Sequence, residues 1–265
     1  MRPIDDTPLT RDGKVFILAY DHGLEHGPVD FEAVPESANP EHVFEVAKHP
    51  AVTSLAVQKG VAEGYYPDYA EEVTLLAKLN GTSNLWMGEP DSAVNWSVDY
   101  ADDIGADSIG FTLYSGSNHE IEMAEEFRDA HEAARERGMP VVAWAYPRGQ
   151  GIKNDKKSGV ISYAARQAME LGADVAKVKY PGSPEAMETV VEMAGRTKVI
   201  MSGGSKTSDR DFLETVKGAM DAGAAGLAVG RNVFQREHPE AILDGLEQII
   251  FEEGSVETAL AATED

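Results

Sequence analysis

The sequence predicts a single (β/α)₈ barrel. Short apolar runs alternate with helix-length segments along the chain, and eight such pairs fit within its 265 residues. Helical segments flank these runs on both sides, which is typical of parallel strands buried on both faces. An open doubly wound sheet is the alternative fold, but no G-x-G-x-x-G fingerprint follows the first strand.

The predicted strands are short, and several end at glycine, proline or a polar residue. The third is the weakest of the eight. The runs are 14–20, 52–57, 84–87, 108–114, 141–146, a run within 174–182, 198–201 and 226–229.

The predicted helices follow from apolar periodicity and from stop signals. Asn39 is a plausible cap for the first helix. Gly105, Gly172 and Gly223 each end a helix just before a strand, as helix C-caps do. We expect helices at 40–48, 69–79, 119–137, 158–171, 184–194, 209–221 and 239–251, a long loop at 24–39, and one domain whose polar acidic tail begins after about residue 253.

The charge balance is strongly acidic. Asp and Glu number 46 against 23 Lys and Arg, a formal net charge of −23. This balance argues against a nucleic-acid partner, because phosphate binding needs positive charge. Molar salt would screen the self-repulsion of such a chain, so we interpret the charge as adaptation to a salty cytoplasm.

The composition also excludes several classes of protein and of site. The sequence has no cysteine, so thiolate nucleophiles, disulfides and Cys-based zinc sites are ruled out. We find no signal peptide at the start and no run near the ~18 apolar residues of a membrane span. We therefore expect a cytoplasmic protein without a membrane partner.

Two lysines lie two residues apart on the sixth strand. Lys177 and Lys179 share one face of that strand by its period of two, so geometry alone does not choose between them. A second ammonium and an apolar wall both lower a lysine pKa and favour the neutral amine, which attacks carbonyls to form Schiff bases. Lys177 lies deeper in the strand, so desolvation favours it as the nucleophile. A pair of surface lysines on an edge strand is the alternative interpretation.

Strand five brings three polar or aromatic side chains to one face. Trp144, Tyr146 and Arg148 follow the same period of two. Trp144 walls a pocket or simply fills the core, and Arg148 holds an anion or the tyrosine. A nearby ammonium would favour the phenolate of Tyr146 and make it a workable acid or base.

Strands seven and eight end in glycine-rich turns. Many barrels hold a phosphate between these two loops, so we predict an anion site formed by Ser202, Gly203, Gly204, Gly230 and Arg231. Turns that only redirect the chain are the alternative.

Strand one ends in acidic and imidazole side chains. Asp21 is a candidate base or partner of a lysine. His22 and His26 have the i, i+4 spacing of a helical metal pair, but Gly23 and Gly27 make the segment a poor helix. We therefore predict no metal site and assign the histidines to substrate hydrogen bonding or to structure.

At these residues the sequence resembles the archaeal-type class I fructose-1,6-bisphosphate aldolase family. The matching motifs run from the first strand to the eighth: YDHGLEHGP at 20–28, AWAYPRG at 143–149, AKVKY at 176–180, SGGSK at 202–206 and GRNVFQ at 230–235.

The resemblance implies a metal-free lyase that works through an imine. It assigns Lys177 as the Schiff-base residue, Tyr146 as the proton donor and Asp21 as an aid to proton transfer. The substrate and its phosphate would lie among Trp144, Arg148 and the turns after strands seven and eight. The resemblance also implies a homo-oligomer, a phosphorylated sugar as substrate, and no cofactor beyond the lysine imine.

Three other functions remain open at this point. A related aldol-type synthase of aromatic amino-acid precursors shares the lysine, the tyrosine and the Asp-His-Gly start, although the EHGP motif at 25–28 favours the bisphosphate aldolases. A phosphate-binding barrel isomerase would need no Schiff base. A phosphosugar-binding protein without activity would have no use for two inward-facing lysines.

Overall fold

The chain folds as a closed barrel of eight parallel strands in the order of the sequence, with β8 paired to β1. A computed structural model describes residues 3–264. The predicted (β/α)₈ fold is confirmed, and the open-sheet alternative is wrong. The strands are β1 (Val15–Ala19), β2 (Ser54–Val57), β3 (Leu75–Lys78), β4 (Ser108–Leu113), β5 (Val141–Ala145), β6 (Val175–Val178), β7 (Lys198–Ser202) and β8 (Gly226–Val229).

Helices surround the barrel and connect its strands. They are α1 (His22–His26), α2 (Pro40–Ala47), α3 (Lys59–Tyr65), α4 (Val98–Ile104), α5 (Glu120–Glu136), α6 (Ser158–Glu170), α7 (Pro184–Met193), α8 (Asp209–Asp221), α9 (Arg231–Phe234), α10 (Pro239–Ile250) and α11 (Val256–Ala262), with short 3₁₀ turns at Ile4–Asp6, Pro28–Phe31, Pro35–Ala38 and Tyr66–Asp68. No helix within residues 3–264 is long and apolar enough to span a membrane.

The predicted helix boundaries hold closely for most of the chain. Asn39 caps α2 by accepting a hydrogen bond from the Glu41 amide. The glycines at 105, 172 and 223 all have positive φ at helix ends, as C-cap residues should. The acidic tail contains α11, whose cap Ser255 accepts from the Thr258 amide and which packs on α10.

The prediction for the third βα unit is wrong. Residues 69–79 were predicted as the helix after the second strand, but they contain β3, and the helix between β2 and β3 is α3, earlier in the chain. Residues 84–87, the predicted third strand, form a loop in which Leu85 is 88% and Met87 is 92% exposed. The run TLLAKL is apolar at consecutive positions because β3 is buried on both faces, so its pattern does not separate strand from helix.

The barrel interior is a packed core that closes the N-terminal end of the strands. Its side chains come from alternate positions of the strands, as in other barrels, with Leu9 added from the segment before β1. The apolar members are Leu9, Val15, Ile17, Ala56, Leu76, Val142, Trp144, Val175, Ile200 and Ala228. Since this core fills the lower barrel, ligands have access to the interior from the C-terminal end.

Candidate active site

A cavity of about 550 Å³ opens at the C-terminal ends of the strands. Active sites of (β/α)₈ enzymes lie at this face. All thirteen site residues predicted from the sequence line the cavity: Asp21, His22, His26, Trp144, Tyr146, Arg148, Lys177, Lys179, Ser202, Gly203, Gly204, Gly230 and Arg231. Glu25 and Lys156 also line it, and sequence reasoning missed them.

Lys177 is the buried amine of the cavity. It is 5% exposed, and its Nζ lies 4.5 Å from the centre of the Trp144 ring. Burial lowers the pKa of this lysine, Asp21 and Glu25 oppose that shift, and Arg231 adds to it. A larger fraction of Lys177 is therefore the neutral, nucleophilic amine than for an exposed lysine.

Lys179 has a different environment from Lys177. It follows the end of β6, its side chain is 23% exposed, and its ammonium pairs with Asp155 from the loop after β5. The prediction that Lys179 lies nearer water is confirmed. Of the positive side chains that line the cavity, Arg231 and not Lys179 lowers the pKa of Lys177, because the charge of Lys179 is balanced by Asp155.

Tyr146 follows β5 and projects into the cavity beside the lysine strand. Lys179 Nζ lies 5.9 Å from the centre of its ring. Burial raises the pKa of Tyr146 well above its usual range, and Asp21 and Glu25 raise it further. The prediction that a nearby ammonium favours the phenolate is wrong, since desolvation exceeds the opposing effects of Ser202 and Arg148. Tyr146 is therefore a phenol at neutral pH, suited to donating a proton.

The segment after β5 is held against the loop after β4. Tyr146 and Arg148 donate backbone hydrogen bonds to the carbonyls of Leu113 and Ser115, at 3.0 and 3.1 Å. At Gly149 the two loops touch, because a Cβ there would lie 1.9 Å from the carbonyl oxygen of Gly116. The segment that carries Tyr146 and Arg148 is therefore packed directly on the loop after β4.

Arg148 is packed on an aromatic ring of the neighbouring strand. Its guanidinium lies 4.8 Å from the ring centre of Tyr114 and donates to the Tyr114 hydroxyl at 3.3 Å. Arg148 therefore presents a fixed positive charge to the cavity and does not bind Tyr146 directly.

His22 and His26 lie on a single helical turn, α1, which ends at Gly27 with φ of 76°. The sequence did not predict this turn. His26 Nδ1 lies 2.6 Å from Asp30 Oδ2, whereas His22 stacks on Phe234 at 4.6 Å. Burial lowers the pKa of His22 to about 4, so its ring is neutral near pH 7. Among the described residues the ring nitrogens of His22 have no hydrogen-bond partner, although Asp30 Oδ2 lies 3.9 Å from Nε2, and this suits a hydrogen bond to a ligand.

The turns after β7 and β8 form one cradle. Neither central glycine has room for a side chain: a Cβ at Gly203 would lie 2.6 Å from Val229, and one at Gly230 would lie 2.4 Å from the Ala19 carbonyl. The two turns can therefore pack tightly against the neighbouring strands, and Arg231 adds a guanidinium that is 28% exposed and can bind an anion.

Comparisons with known proteins identify the family of the chain. The model of the DeoC/LacD family aldolases matches residues 15–236. The chain belongs to this family. A protein of Halobacterium salinarum named fructose-bisphosphate aldolase class 1 is 73% identical over 98% of this chain and 99% of its own.

Two further relatives separate the candidate activities. A solved archaeal fructose-1,6-bisphosphate aldolase, whose catalytic lysine is covalently bound to the carbinolamine intermediate of the substrate, has a TM-score of 0.87 at 43% identity, covering 90% of this chain and 94% of its own. A 2-amino-3,7-dideoxy-D-threo-hept-6-ulosonate synthase of Halobacterium salinarum is 32% identical over 96% of this chain and 92% of its own. Within the aldolase family, the chain is thus much more similar to the bisphosphate aldolase than to the synthase.

Two structural residues behind this aldolase site were not predicted. Asn232 is fully buried and donates to the carbonyls of Gly203 and Ser205, at 2.8 and 2.9 Å, which ties the two halves of the cradle together. Lys78 on β3 is fully buried beside Trp144. Asn232 stands in the GRN motif and was visible in the sequence, whereas Lys78 was hidden by the wrong assignment of its strand.

Proposed function

We propose that this protein is a class I fructose-1,6-bisphosphate aldolase. It cleaves fructose 1,6-bisphosphate reversibly to dihydroxyacetone phosphate and glyceraldehyde 3-phosphate, as a lyase of glycolysis and gluconeogenesis. The observation that carries this function is the buried Lys177 amine, which faces the same cavity as an anion cradle and a phenolic Tyr146. The 73% identical relative of the same name supports the choice of substrate.

Lys177 begins the cycle as the nucleophile. Its neutral amine adds to the C2 ketone to give a carbinolamine, and uptake of one proton from solvent with loss of water gives a protonated imine. The imine withdraws electrons from the C3–C4 bond, which breaks as a base removes the C4 hydroxyl proton and glyceraldehyde 3-phosphate leaves. This electron sink is the part that a metal ion plays in metal-dependent aldolases, so the mechanism uses no metal.

Tyr146 and Asp21 handle the protons. The enamine left after cleavage takes a proton at C3 from the Tyr146 phenol, whose raised pKa keeps that proton available. Asp21 is 5% exposed, and its carboxylate raises the pKa of both Lys177 and Tyr146, so it lies where it can stabilise positive charge on the imine. Water then hydrolyses the imine and frees dihydroxyacetone phosphate.

The cradle after β7 and β8 binds one substrate phosphate. In Arg231→Ala we expect a loss of affinity for phosphorylated substrates of about 10–100-fold, since a hydrogen bond to a charged group contributes about 1.5–3 kcal/mol. Affinity for the dephosphorylated analogue should change little. Steady-state kinetics with fructose 1,6-bisphosphate and fructose measure the difference, and equal losses on both would show that Arg231 is structural.

Three properties beyond the reaction complete the proposal. We expect a homo-oligomer, as the family resemblance implies, and a cytoplasmic location. The net charge of −23 and the Halobacterium salinarum relative support function in a salty cytoplasm. Because the acidic residues are spread along the chain, activity should be higher in molar KCl than in dilute buffer.

A substrate panel tests the proposed activity. The protein is assayed in molar KCl, with a chelator present, for cleavage of fructose 1,6-bisphosphate by coupled detection of glyceraldehyde 3-phosphate. We expect turnover with this substrate and none of the aldol product of the related synthase when that enzyme's substrates are supplied. Turnover only with the synthase substrates, or isomerisation without cleavage, would contradict the proposal.

A further inference from the structure

Lys78 is a lysine that the mechanism above does not use. It is the last residue of β3 and is fully buried, and it does not line the active-site cavity. Within residues 3–264 it forms no ion pair. A buried charge without an opposite charge costs free energy of folding, so its presence inside the barrel calls for a function.

The neighbours of Lys78 hold its ammonium in one place. Its Nζ donates to the backbone carbonyl and, at 2.9 Å, to the side-chain Oδ1 of Asn80. Asn80 is itself fixed, because its side-chain amide donates to the carbonyls of Ser92 and Thr112, at 3.1 and 3.0 Å, and its Oδ1 accepts from the Thr112 amide at 2.7 Å. This buried network leaves the ammonium no freedom to reach the cavity.

The strand register places Lys78 beside the indole that contacts the reactive lysine. Lys78 pairs with Gly110 on β4, and a Cβ at Gly110 would lie 2.5 Å from the Trp144 ring, so the missing side chain leaves room for the indole. Between β5 and β6, Trp144 is in register with Lys177. Lys78 Nζ lies 5.4 Å and Lys177 Nζ 4.5 Å from the centre of the same ring.

The two lysine side chains therefore lie close enough for their charges to act on each other. Because each nitrogen lies within 5.4 Å of the centre of the Trp144 ring, the two nitrogens are less than about 11 Å apart, and both side chains are buried. Like charges at this range disfavour the charged form of both groups. Burial and the charge of Lys177 lower the pKa of Lys78 to about 8, although Asp21 and Glu25 act to raise it. Lys78 therefore remains mostly protonated at pH 7.

We propose that Lys78 is a positioning residue, whose buried ammonium, anchored by Asn80 beside Trp144, holds the Lys177 amine in its neutral, nucleophilic form. The same charge disfavours the protonated imine once it forms and so increases its pull on the C3–C4 bond. This inference rests on the proposed Schiff-base function.

Several other groups bear on the protonation of Lys177, and all stay in place in the test below. They come from each element around it: Asp21 after β1, Glu25 on α1, Tyr146 after β5, Lys179 after β6 and Arg231 on α9. Asp21 and Glu25 favour the ammonium of Lys177, and Arg231 opposes it. The charge of Lys177 lowers the pKa of Lys78, and because repulsion between like charges is mutual, a protonated Lys78 also opposes the ammonium of Lys177.

The test measures how fast the imine forms at different pH values. Wild type, Lys78→Met and Lys198→Met are incubated in molar KCl with dihydroxyacetone phosphate and cyanoborohydride, and the covalent adduct is followed by mass spectrometry. Lys198 is the matched control, because it is also a barrel lysine but binds Asp5 and the Gly13 carbonyl outside the cavity, each at 2.9 Å.

In Lys78→Met we expect the acidic limb of the pH–rate profile to shift to higher pH by about one unit. At pH values on the acidic limb trapping should be about tenfold slower than in wild type, and on the plateau at higher pH the two rates should be equal. The sign follows because loss of the neighbouring charge raises the pKa of Lys177 and lowers its neutral fraction at a given pH. Lys198→Met should keep the wild-type profile.

The competing outcomes are distinct. An unchanged limb, a loss of rate equal at every pH, or an adduct on Lys78 itself would overturn the inference. Lys78→Gln, which keeps a donor for Asn80 without the charge, should shift the limb as Lys78→Met does and replaces it if that variant does not fold. Absence of any adduct on wild-type Lys177 would instead show that the proposed function fails.

Discussion

Borohydride reduction in the presence of dihydroxyacetone phosphate is expected to add one substrate mass per subunit, on the peptide that carries Lys177. Burial lowers the pKa of this lysine, and its Nζ faces the cavity that also contains the anion cradle. Reduction converts the reversible imine into a stable secondary amine, so mass spectrometry of the digested protein locates the bond.

Two variants sharpen this result. Lys177→Ala should abolish the adduct and the cleavage activity together, because no other buried amine lines the cavity among the described residues. Lys179→Ala, which removes the partner of Asp155, should still form the adduct at a reduced rate. An adduct on Lys179 in wild type would refute the assignment, and the absence of adduct on either lysine would remove the Schiff-base mechanism.

Tyr146→Phe is expected to lower turnover by about 10²–10⁴-fold, which is the usual share of general acid–base catalysis. The change keeps the ring and removes the hydroxyl, so the packing after β5 is preserved. Imine trapping on Lys177 should fall much less than turnover, because the phenol acts after carbon–carbon cleavage.

Proton exchange isolates the step assigned to Tyr146. Solvent deuterium should enter C3 of dihydroxyacetone phosphate far more slowly in Tyr146→Phe than in wild type, whereas Ser202→Ala, which removes only a neighbour of the phenol, should exchange much faster than Tyr146→Phe. Near-normal turnover in Tyr146→Phe would move the proton transfer to Asp21 or to a water molecule.

The sequence predicted the barrel and the cavity because both follow from local patterns. Helical connections between short buried runs dictate parallel strands, and parallel strands bring all their carboxyl ends to one face. Asp21, Lys177 and Arg231 therefore had to meet once the eight units were counted, even though they lie far apart in the chain.

The third unit and Lys78 could not be found in the same way. Four residues, Leu75–Lys78, make β3, and the surrounding apolar positions also fit a helix. A lysine in a predicted helix is expected to be exposed, whereas at the end of a central strand it is buried. The buried position of Lys78 follows from its register with Gly110 and from the packing of Trp144, and both are known only from the three-dimensional structure.

Protonation states were also outside the reach of pattern arguments. The sequence placed a tyrosine beside lysines and suggested a phenolate, but the sign of the pKa shift depends on how much water reaches the hydroxyl. Burial and two carboxylates outweigh the charge of Arg148 and the hydrogen bond with Ser202 at Tyr146. The distances to charged groups and the burial of the hydroxyl determine the direction of such a pKa shift, and residue spacing in the sequence gives neither.

The contact between Gly149 and Gly116 has a consequence for attempts to redesign this enzyme. An exchange of one βα loop treats that loop as independent of its neighbours, but here the backbones of the loops after β4 and β5 touch at Gly149 and Gly116, with no room for a single carbon atom between them. Grafting either loop alone would displace the segment that carries Tyr146 and Arg148. Combinatorial libraries that aim at new aldehyde acceptors should therefore vary these two loops as a linked pair, or leave both intact and diversify the loop after β1.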